Sequence, residues 1–347
     1  MSGDRPLATL ALSTWNHEAY VERALKAALA QDYSPLEIIV SDDASTDRTM
    51  EIVEGVAASY RGPHRLRINR NQRNLGVGAH NDLLLGMAQG EIVVLAAGDD
   101  FDQPDRVGAI VAAWQADPAG IRCIASLVRG IDARGAAGQT IRPYATAGNP
   151  DAAELARSGG AVLGASLAVH KSLLGTFGPL GEGLRTCEDI VLPFRAALLG
   201  KVAVIDRILV NYRQHGASLM GSSGPLASGG RQYRAGFVRM LQGRVRARQI
   251  QLADLATARR LELVDEAQRL TLAASLERWR ALDQLYLDLL ERRGGSLGRL
   301  LAAVRARSVG AGEAVRMVLP AVCAGPWFRY QRWRLRRRQR APAQLRP

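Results

Sequence analysis

The chain has 347 residues, 47% of them hydrophobic and 23% charged, with a formal net charge of +13. That is apolar material enough for a sizeable core, and it excludes the low-hydrophobicity composition of a disordered chain. Three cysteines (Cys123, Cys187 and Cys323) without close spacing exclude a disulfide framework and a thiolate zinc site, and they suit a reducing compartment.

The opening residues MSGDRPLATLALSTW carry a short apolar stretch with no small-residue cleavage site behind it, so no secretion signal is expected. Residues 7–13 (LATLALS) predict a strand, and residues 18–31 an amphipathic helix begun near Asn16. A second continuous apolar run at 36–41 (LEIIVS) closes on Asp42-Asp43-Ala44-Ser45-Thr46-Asp47. A helix over 46–59, a strand at 65–69 and a helix over 76–89 follow. The next apolar run, 91–97, ends in Gly98-Asp99-Asp100. Short apolar strands alternating with helices predict βαβ units and a mostly parallel sheet. Polar residues gather at 13–16, 42–47 and 98–102, just past the strands, where an open α/β sheet forms its ligand crevice.

Residues 119–222 are less regular, with strands expected at 121–131, 161–169 and 202–213. A helix over 188–199 opens on Glu188-Asp189, and Pro193 is expected to confine where it starts. The stretch 221–230 (GSSGPLASGG) has linker composition. Beyond it, Leu272, Leu276, Trp279, Leu282, Tyr286 and Leu289 mark one face of a long helix. No apolar run reaches the roughly 18 to 20 residues of a spanning helix; Met317 to Phe328 is short and holds Pro320 and Pro326. Charge is uneven: residues 231–347 hold 25 Arg and 9 acids, a net of +16, which leaves −3 for residues 1–230.

Three acidic pairs are candidates for chemistry. Asp99 and Asp100 repel each other at a strand end and need a cation or several donors in compensation. Mg²⁺ or Mn²⁺ suits such hard oxygen ligands, and the alternative is an Asp-rich turn leading with Asp102 and Pro104 into the next helix. Asp42 and Asp43 can accept from a nucleobase N–H or a ribose hydroxyl, or form a turn and N-cap with Ser45, Thr46 and Asp47. Glu188 and Asp189 offer either a carboxylate held ready to take a proton or ordinary capping.

Taken in order, these segments resemble the inverting family 2 glycosyltransferases of GT-A fold, of the non-processive bacterial type. The carriers are LALSTWN (10–16), LEIIVSDDASTDRT (36–49), Asn74-Leu75-Gly76 with Asn81, and Ala88-Gln89-Gly90-Glu91. Gly98-Asp99-Asp100 with Pro104 and Arg106, Glu188-Asp189 with Leu192 and Arg195, and Tyr212-Arg213-Gln214-His215-Gly216 complete the set, which spans about residues 6–220. The resemblance implies an α/β GT-A architecture, a Rossmann-like mixed sheet flanked by helices, with a C-terminal helical extension. It implies a catalytic domain over 1–220 (1–118 for the nucleotide sugar, 119–220 for the acceptor), a linker at 221–231, a basic helical extension over 232–340 and a disordered tail at 341–347.

The resemblance also implies roles. Asp189 would be the general base with Glu188 beside it. Thr14, Asn16, Glu18, Asp42, Asp43, Arg73, Asn74, Gly76, Asn81 and Asp99 would bind the nucleotide sugar, and Asp99, Asp100 and His215 would hold Mn²⁺ or Mg²⁺. Two departures stand out: Ala97 replaces the first Asp of the common metal motif, and Trp15 stands where Tyr is usual, without the Pro before Thr14. The implied reaction moves a sugar from a nucleoside-diphosphate sugar, UDP-linked by expectation, to a glycan or lipid-linked acceptor hydroxyl in bacterial surface-polysaccharide or glycoconjugate assembly. A sugar nucleotidyltransferase, which would need a Gly-rich basic loop where this chain reads STWNHEAY, and a catalytically silent nucleotide-binding scaffold are the alternatives. Trp327, Phe328, Tyr330 and Trp333 interleaved with arginines suit an anionic membrane surface, against a solvated charged helix end. The expected place is therefore the cytoplasm, peripheral on the inner face of the membrane, with no nucleic acid partner.

Overall fold

Strands buried on both faces read as unbroken apolar runs, and three of them, with one partly exposed edge strand, make the first half of the sheet. The computed structural model describes residues 5–144, 148–215, 230–291 and 295–305. Its first elements are β1 (Ala8–Thr14), α1 (Val21–Leu29), β2 (Leu36–Asp42), α2 (Thr49–Ser59), β3 (Arg65–Arg70), α3 (Val77–Met87) and β4 (Ile92–Ala97). The strands lie parallel in the order β3-β2-β1-β4. Helix α1 buries Val21, Ala24, Leu25 and Ala28, the three- and four-residue spacing of one helix face. The Asp47 carboxylate accepts from the Thr49 N–H at 3.0 Å and so starts α2.

The second half is β5 (Phe101–Asp102), α4 (Arg106–Ala116), β6 (Ile121–Ile131), β7 (Ala137–Ile141), α5 (Ala152–Ser158), β8 (Ala168–His170), α6 (Ser172–Phe177), α7 (Glu188–Leu199) and β9 (Lys201–Arg213). The sheet continues β4-β8-β6-β9-β5, and β7 pairs with β6. Strand β8 runs antiparallel to both β4 and β6, while β6 and β9 are parallel, so the sheet is mixed. The strand expected over 161–169 is instead a 3-10 turn at Gly164–Ser166 followed by the short β8. Glycines at 159, 160 and 164 give that stretch turns rather than a continuous ladder.

Pro193 sits inside α7 and does not delimit it. A proline there removes the N–H that would reach back to the Asp189 carbonyl. That carbonyl accepts from the Val162 N–H instead, at 3.0 Å.

Helices α8 (Gly230–Arg260), α9 (Glu266–Leu290) and α10 (Ser296–Arg305) follow. The chain divides into two units at places other than 220 and 232: residues 1–213 with 246–277 form one, and residues 214–245 with 278–347 the other. The reason lies in α7. Arg195, almost wholly buried, pairs with the equally buried Asp254 of α8 through Nε–Oδ2 at 2.8 Å and Nη2–Oδ1 at 3.0 Å. Gln251 donates to the Ile190 carbonyl at 3.0 Å, and Ala247, Ile250, Leu255 and Ala258 share a core with Leu192 and Phe194.

The Leu272–Leu289 face divides likewise. Leu272 and Leu276 belong to the first unit's core, whereas Leu289, with Leu282 and Tyr286 beside it, belongs to a second-unit cluster with Leu241, Leu285 and Leu300. Most of the expected linker at 221–231, and the aromatic and arginine-rich stretch after residue 305, lie outside the described residues. Among the described residues no helix is long and apolar enough to cross a membrane.

Removing one partner of a buried ion pair leaves the other charge stranded, at a cost of about 3–5 kcal/mol. Asp254→Ala is therefore expected to lower unfolding stability by that order in a denaturant titration. Asp117→Ala, which breaks the exposed pair with Lys201, is expected to cost less than about 1 kcal/mol.

Candidate active site

Parallel register brings the strand ends level. Thr14 stands opposite Asp42, and Ser13 opposite Ala97, so the loops after β1, β2 and β4 leave the sheet along one edge. Asp43 ties that edge together. Its backbone N–H donates to the Thr14 carbonyl at 2.9 Å, Oδ1 accepts from Leu75 N and Asn71 Nδ2 at 2.8 Å each, and Oδ2 accepts from Gly76 N at 3.0 Å. Asn74 Nδ2 donates to the Asp43 carbonyl at 3.3 Å. The loop that opens α3 therefore hangs on one carboxylate, and Gly76 takes it into the helix at φ 78°, a backbone region that favours glycine.

Asp42 is fully buried and accepts from the Ser45 hydroxyl at 2.5 Å and the Ser45 N–H at 2.9 Å, with Arg70 Nε 3.8 Å away. Asn16, at φ 55°, donates its N–H to Ser45 Oγ at 2.8 Å and accepts from Thr46 N at 2.9 Å. Glu18 accepts from Arg48 N at 3.1 Å at the start of α2. Asn81 is buried on α3 beside His80, whose Nε2 lies 2.7 Å from Ser41 Oγ. Burial lowers the His80 pKa against the pull of Asp43 and Asp42. Arg73 is exposed and paired with Glu182.

Gly98 donates to the Ser13 carbonyl at 2.8 Å and has no room for a side chain. A Cβ there would stand 2.6 Å from Thr14 Oγ1 and 2.7 Å from His17 Nδ1. Asp99 Oδ2 is 3.9 Å from His17 Nε2. Asp100 is buried and accepts from the Arg213 N–H at 2.7 Å, while Arg213 Nε donates to the Asp99 carbonyl at 2.8 Å. Burial first, and the Asp99 charge second, push the Asp100 carboxyl well above its ordinary range. Two adjacent hard carboxylates at a strand end, with the Asp99 charge pressing on the buried Asp100, are the donor chemistry that a divalent Mg²⁺ or Mn²⁺ relieves, so the pair fits such an ion. Among the described residues no cluster of three or more His, Cys, Asp or Glu side chains is arranged to hold a metal. The fit therefore rests on the Asp pair. His215, expected beside them, follows β9 as a buried residue of the second unit.

The third acidic pair opens α7. Cys187 enters it at φ 72°, a left-handed conformation uncommon outside glycine. Glu188 and Asp189 then begin the helix, each half-buried. A Cβ on Gly164 would meet Glu188 Oε1 at 3.1 Å and Asp189 Cβ at 3.4 Å. Burial, followed by the Asp189 charge, pushes Glu188 up to about 8. Burial pushes Asp189 up to about 6, opposed by the Gly164 N–H and the Arg248 charge.

Tyr212 on β9 lies in the field of acids from two separate segments. Its phenol is pushed up by burial and then by Asp100, Asp99 and Asp189, so all three lie within its electrostatic reach. The structure thus links Thr14 to Asp43 and His17, His17 to Asp99, and Asp99, Asp100 and Asp189 to one tyrosine. Glu18 and Arg73 engage Arg48 and Glu182 instead. In the sequence Tyr212 and Arg213 stand only as members of a motif with no task of their own, and His17, Gly164 and Arg248 carry no local pattern that would mark them.

Residues 9–152 match the family model described as "Glycosyl transferase family 2". An uncharacterised glycosyltransferase of Nostoc sp. is 27% identical over 216 residues, 60% of this chain and 64% of that protein, so the chain spans a little under two thirds of that relative. Among solved structures, residues 1–349 of S. aureus TarS in complex with UDP superpose with a TM-score of 0.54 at 16% identity, covering 94% of this chain and 87% of that one. A mannosyltransferase of Pyrobaculum calidifontis in complex with GDP-Man and Mn²⁺ gives a TM-score of 0.55 at 19% identity, covering 95% and 84%. These likenesses establish the fold, the GT-A architecture with a helical C-terminal region.

Gly98→Ala is expected to displace Thr14 and His17 while the sheet stays folded. The displacement is read as shifted His17 ring resonances in NMR spectra with the far-UV dichroism unchanged, and resonances that stay in place would contradict it.

Proposed function

We propose that the chain, a member of glycosyl transferase family 2, transfers a sugar from a nucleoside-diphosphate sugar to an acceptor hydroxyl with inversion at the anomeric carbon. The observation that carries the reading is that the charges of Asp99, Asp100 and Asp189, from the β4 loop and the start of α7, all act on the Tyr212 phenol. One acidic pair suits the diphosphate end of a donor with its cation, and the other suits proton removal from the attacking hydroxyl.

Asp189 acts as the general base. Gly164 N–H donates to its carboxylate, and Val162 N–H holds its carbonyl at 3.0 Å, so the side chain is set from the turn before β8. Glu188 stays protonated at neutral pH, which spares Asp189 a second negative neighbour. Asp99 and Asp100 hold Mg²⁺ or Mn²⁺, which when bound neutralises charge on the departing nucleoside diphosphate. Thr14, Asn16, Asp42, Asp43, Asn74, Gly76 and Asn81 form the nucleoside side of the site, with Glu18 and Arg73 at its rim. UDP is the favoured nucleotide. Support comes from the TarS complex with UDP, while the mannosyltransferase complex with GDP-Man makes guanosine the competitor to test. The setting is bacterial surface-polysaccharide or glycoconjugate assembly, with the arginine-rich C-terminus resting on the inner face of the cytoplasmic membrane.

Positioned general bases contribute roughly 10²–10⁴-fold. Asp189→Asn is therefore expected to lower turnover by that factor on a panel of nucleotide sugars with Mn²⁺, while calorimetric affinity for UDP is kept. Loss of UDP binding in that variant, or full activity, would refute the assignment.

The wild-type rate should rise with pH through about 6, because Asp189 must shed its proton before it can accept another. For Glu188 the sign works through stability. Its folded pKa is raised above the ordinary 4.5 to about 8, so the native state holds a proton that the unfolded chain releases, and stability drains as pH climbs through that window. Glu188→Gln is expected to raise the melting temperature at pH 8 and to leave it nearly unchanged at pH 4. A gain that is equal at both pH values would contradict this.

A further inference from the structure

We infer that Arg248, on α8, is the positioning residue for Asp189 at the start of α7, its guanidinium serving as the counter-charge to that carboxylate. The inference rests on Asp189 being the base, and it lies outside the segment matched to the family model, which ends at residue 152. Arg248 is fully buried, a placement that costs a great deal unless a compensating group is near.

Its hydrogen bonds grip both segments that hold Asp189. Nη2 donates to the Gly159 carbonyl at 2.6 Å, at the head of the run whose Val162 and Gly164 N–H groups reach Asp189. Nη1 donates to Gln251 Oε1 at 2.8 Å, and Gln251 Nε2 donates in turn to the Ile190 carbonyl at 3.0 Å, one residue past Asp189. The charged and titratable groups that act on or around Asp189 are Glu188 on its own turn, Tyr212 on β9 and Arg248 on α8. Arg248 is the cation among them, and its charge favours the ionised Asp189. Helix α8 therefore does more than cover α7: it supplies a positive charge that acts on Asp189.

The test is a cycle of Arg248→Gln, Asp189→Asn and the double variant in the full chain, followed by thermal unfolding at pH 5 and pH 8. Arg248→Gln should lower the melting temperature at pH 8 by more beside Asp189 than beside the asparagine, and the excess should shrink at pH 5. A purely structural arginine would cost the same in both backgrounds at both pH values, and that result overturns the proposal. A variant that unfolds beside Asp189 but folds beside the asparagine supports it, whereas unfolding in both backgrounds makes Arg248 a residue of the fold and overturns it.

Rates give a second readout, taken as UDP-glucose hydrolysis with Mn²⁺. The acid limb of Arg248→Gln should move up by on the order of one pH unit, with Arg248→Lys restoring it. A limb that stays in place counts against the proposal. If Asp189→Asn hydrolyses donor at the wild-type rate, the general-base reading falls while the unfolding cycle still measures the Arg248–Asp189 coupling.

Discussion

Six carboxylates gather at and beside one edge of the sheet, and the way each is compensated decides what the edge can do. Asp42 and Asp43 are answered from within the protein, by Ser45 and by the N–H groups of Leu75 and Gly76. They fix loops. Asp100, Glu188 and Asp189 are answered less completely, and burial drives their proton affinities up. A fold that tolerates such unrelieved charge in one place gains a site with a strong demand for a cation and for a proton.

The start of α7 shows how the backbone prepares this. Cys187 turns the chain through a left-handed conformation, so Glu188 and Asp189 enter the helix at a sharp angle. Pro193 withholds one helical N–H, and the freed Asp189 carbonyl is taken by Val162. Gly164 lies so close that any side chain would press on Glu188. A proline expected to limit a helix instead lets its first turn bond sideways, into the turn before β8.

Much of this was legible in the sequence, for a physical reason. Strands β1, β2 and β4 are buried on both faces and show as continuous apolar runs, each followed by the polar residues that end up at the site. The ordered motifs carried the same message through to Tyr212. What stayed hidden depends on partners distant in the chain. β5 has two residues and β8 three, too few for any period to register. The glycines of 159–164 obscured a turn that looked like a strand. His17 and Arg248 acquire meaning only when Asp99 and Asp189 come to meet them.

The helical extension hides its contacts for a related reason. Counted by charge, residues beyond 230 are a basic surface, and arginine is the residue that makes them so. Yet Arg248 is wholly buried, and the buried Asp254 two helical turns further along α8 receives Arg195 of α7. A guanidinium carries apolar stem and forked donors together, so it can enter a core wherever carbonyls and carboxylates await it. Net charge records how many arginines a segment holds and nothing of which face each one takes. Arg248 turns its positive charge inward, toward Asp189 of α7, so the first unit of the fold takes in residues well beyond the last of the sequence motifs.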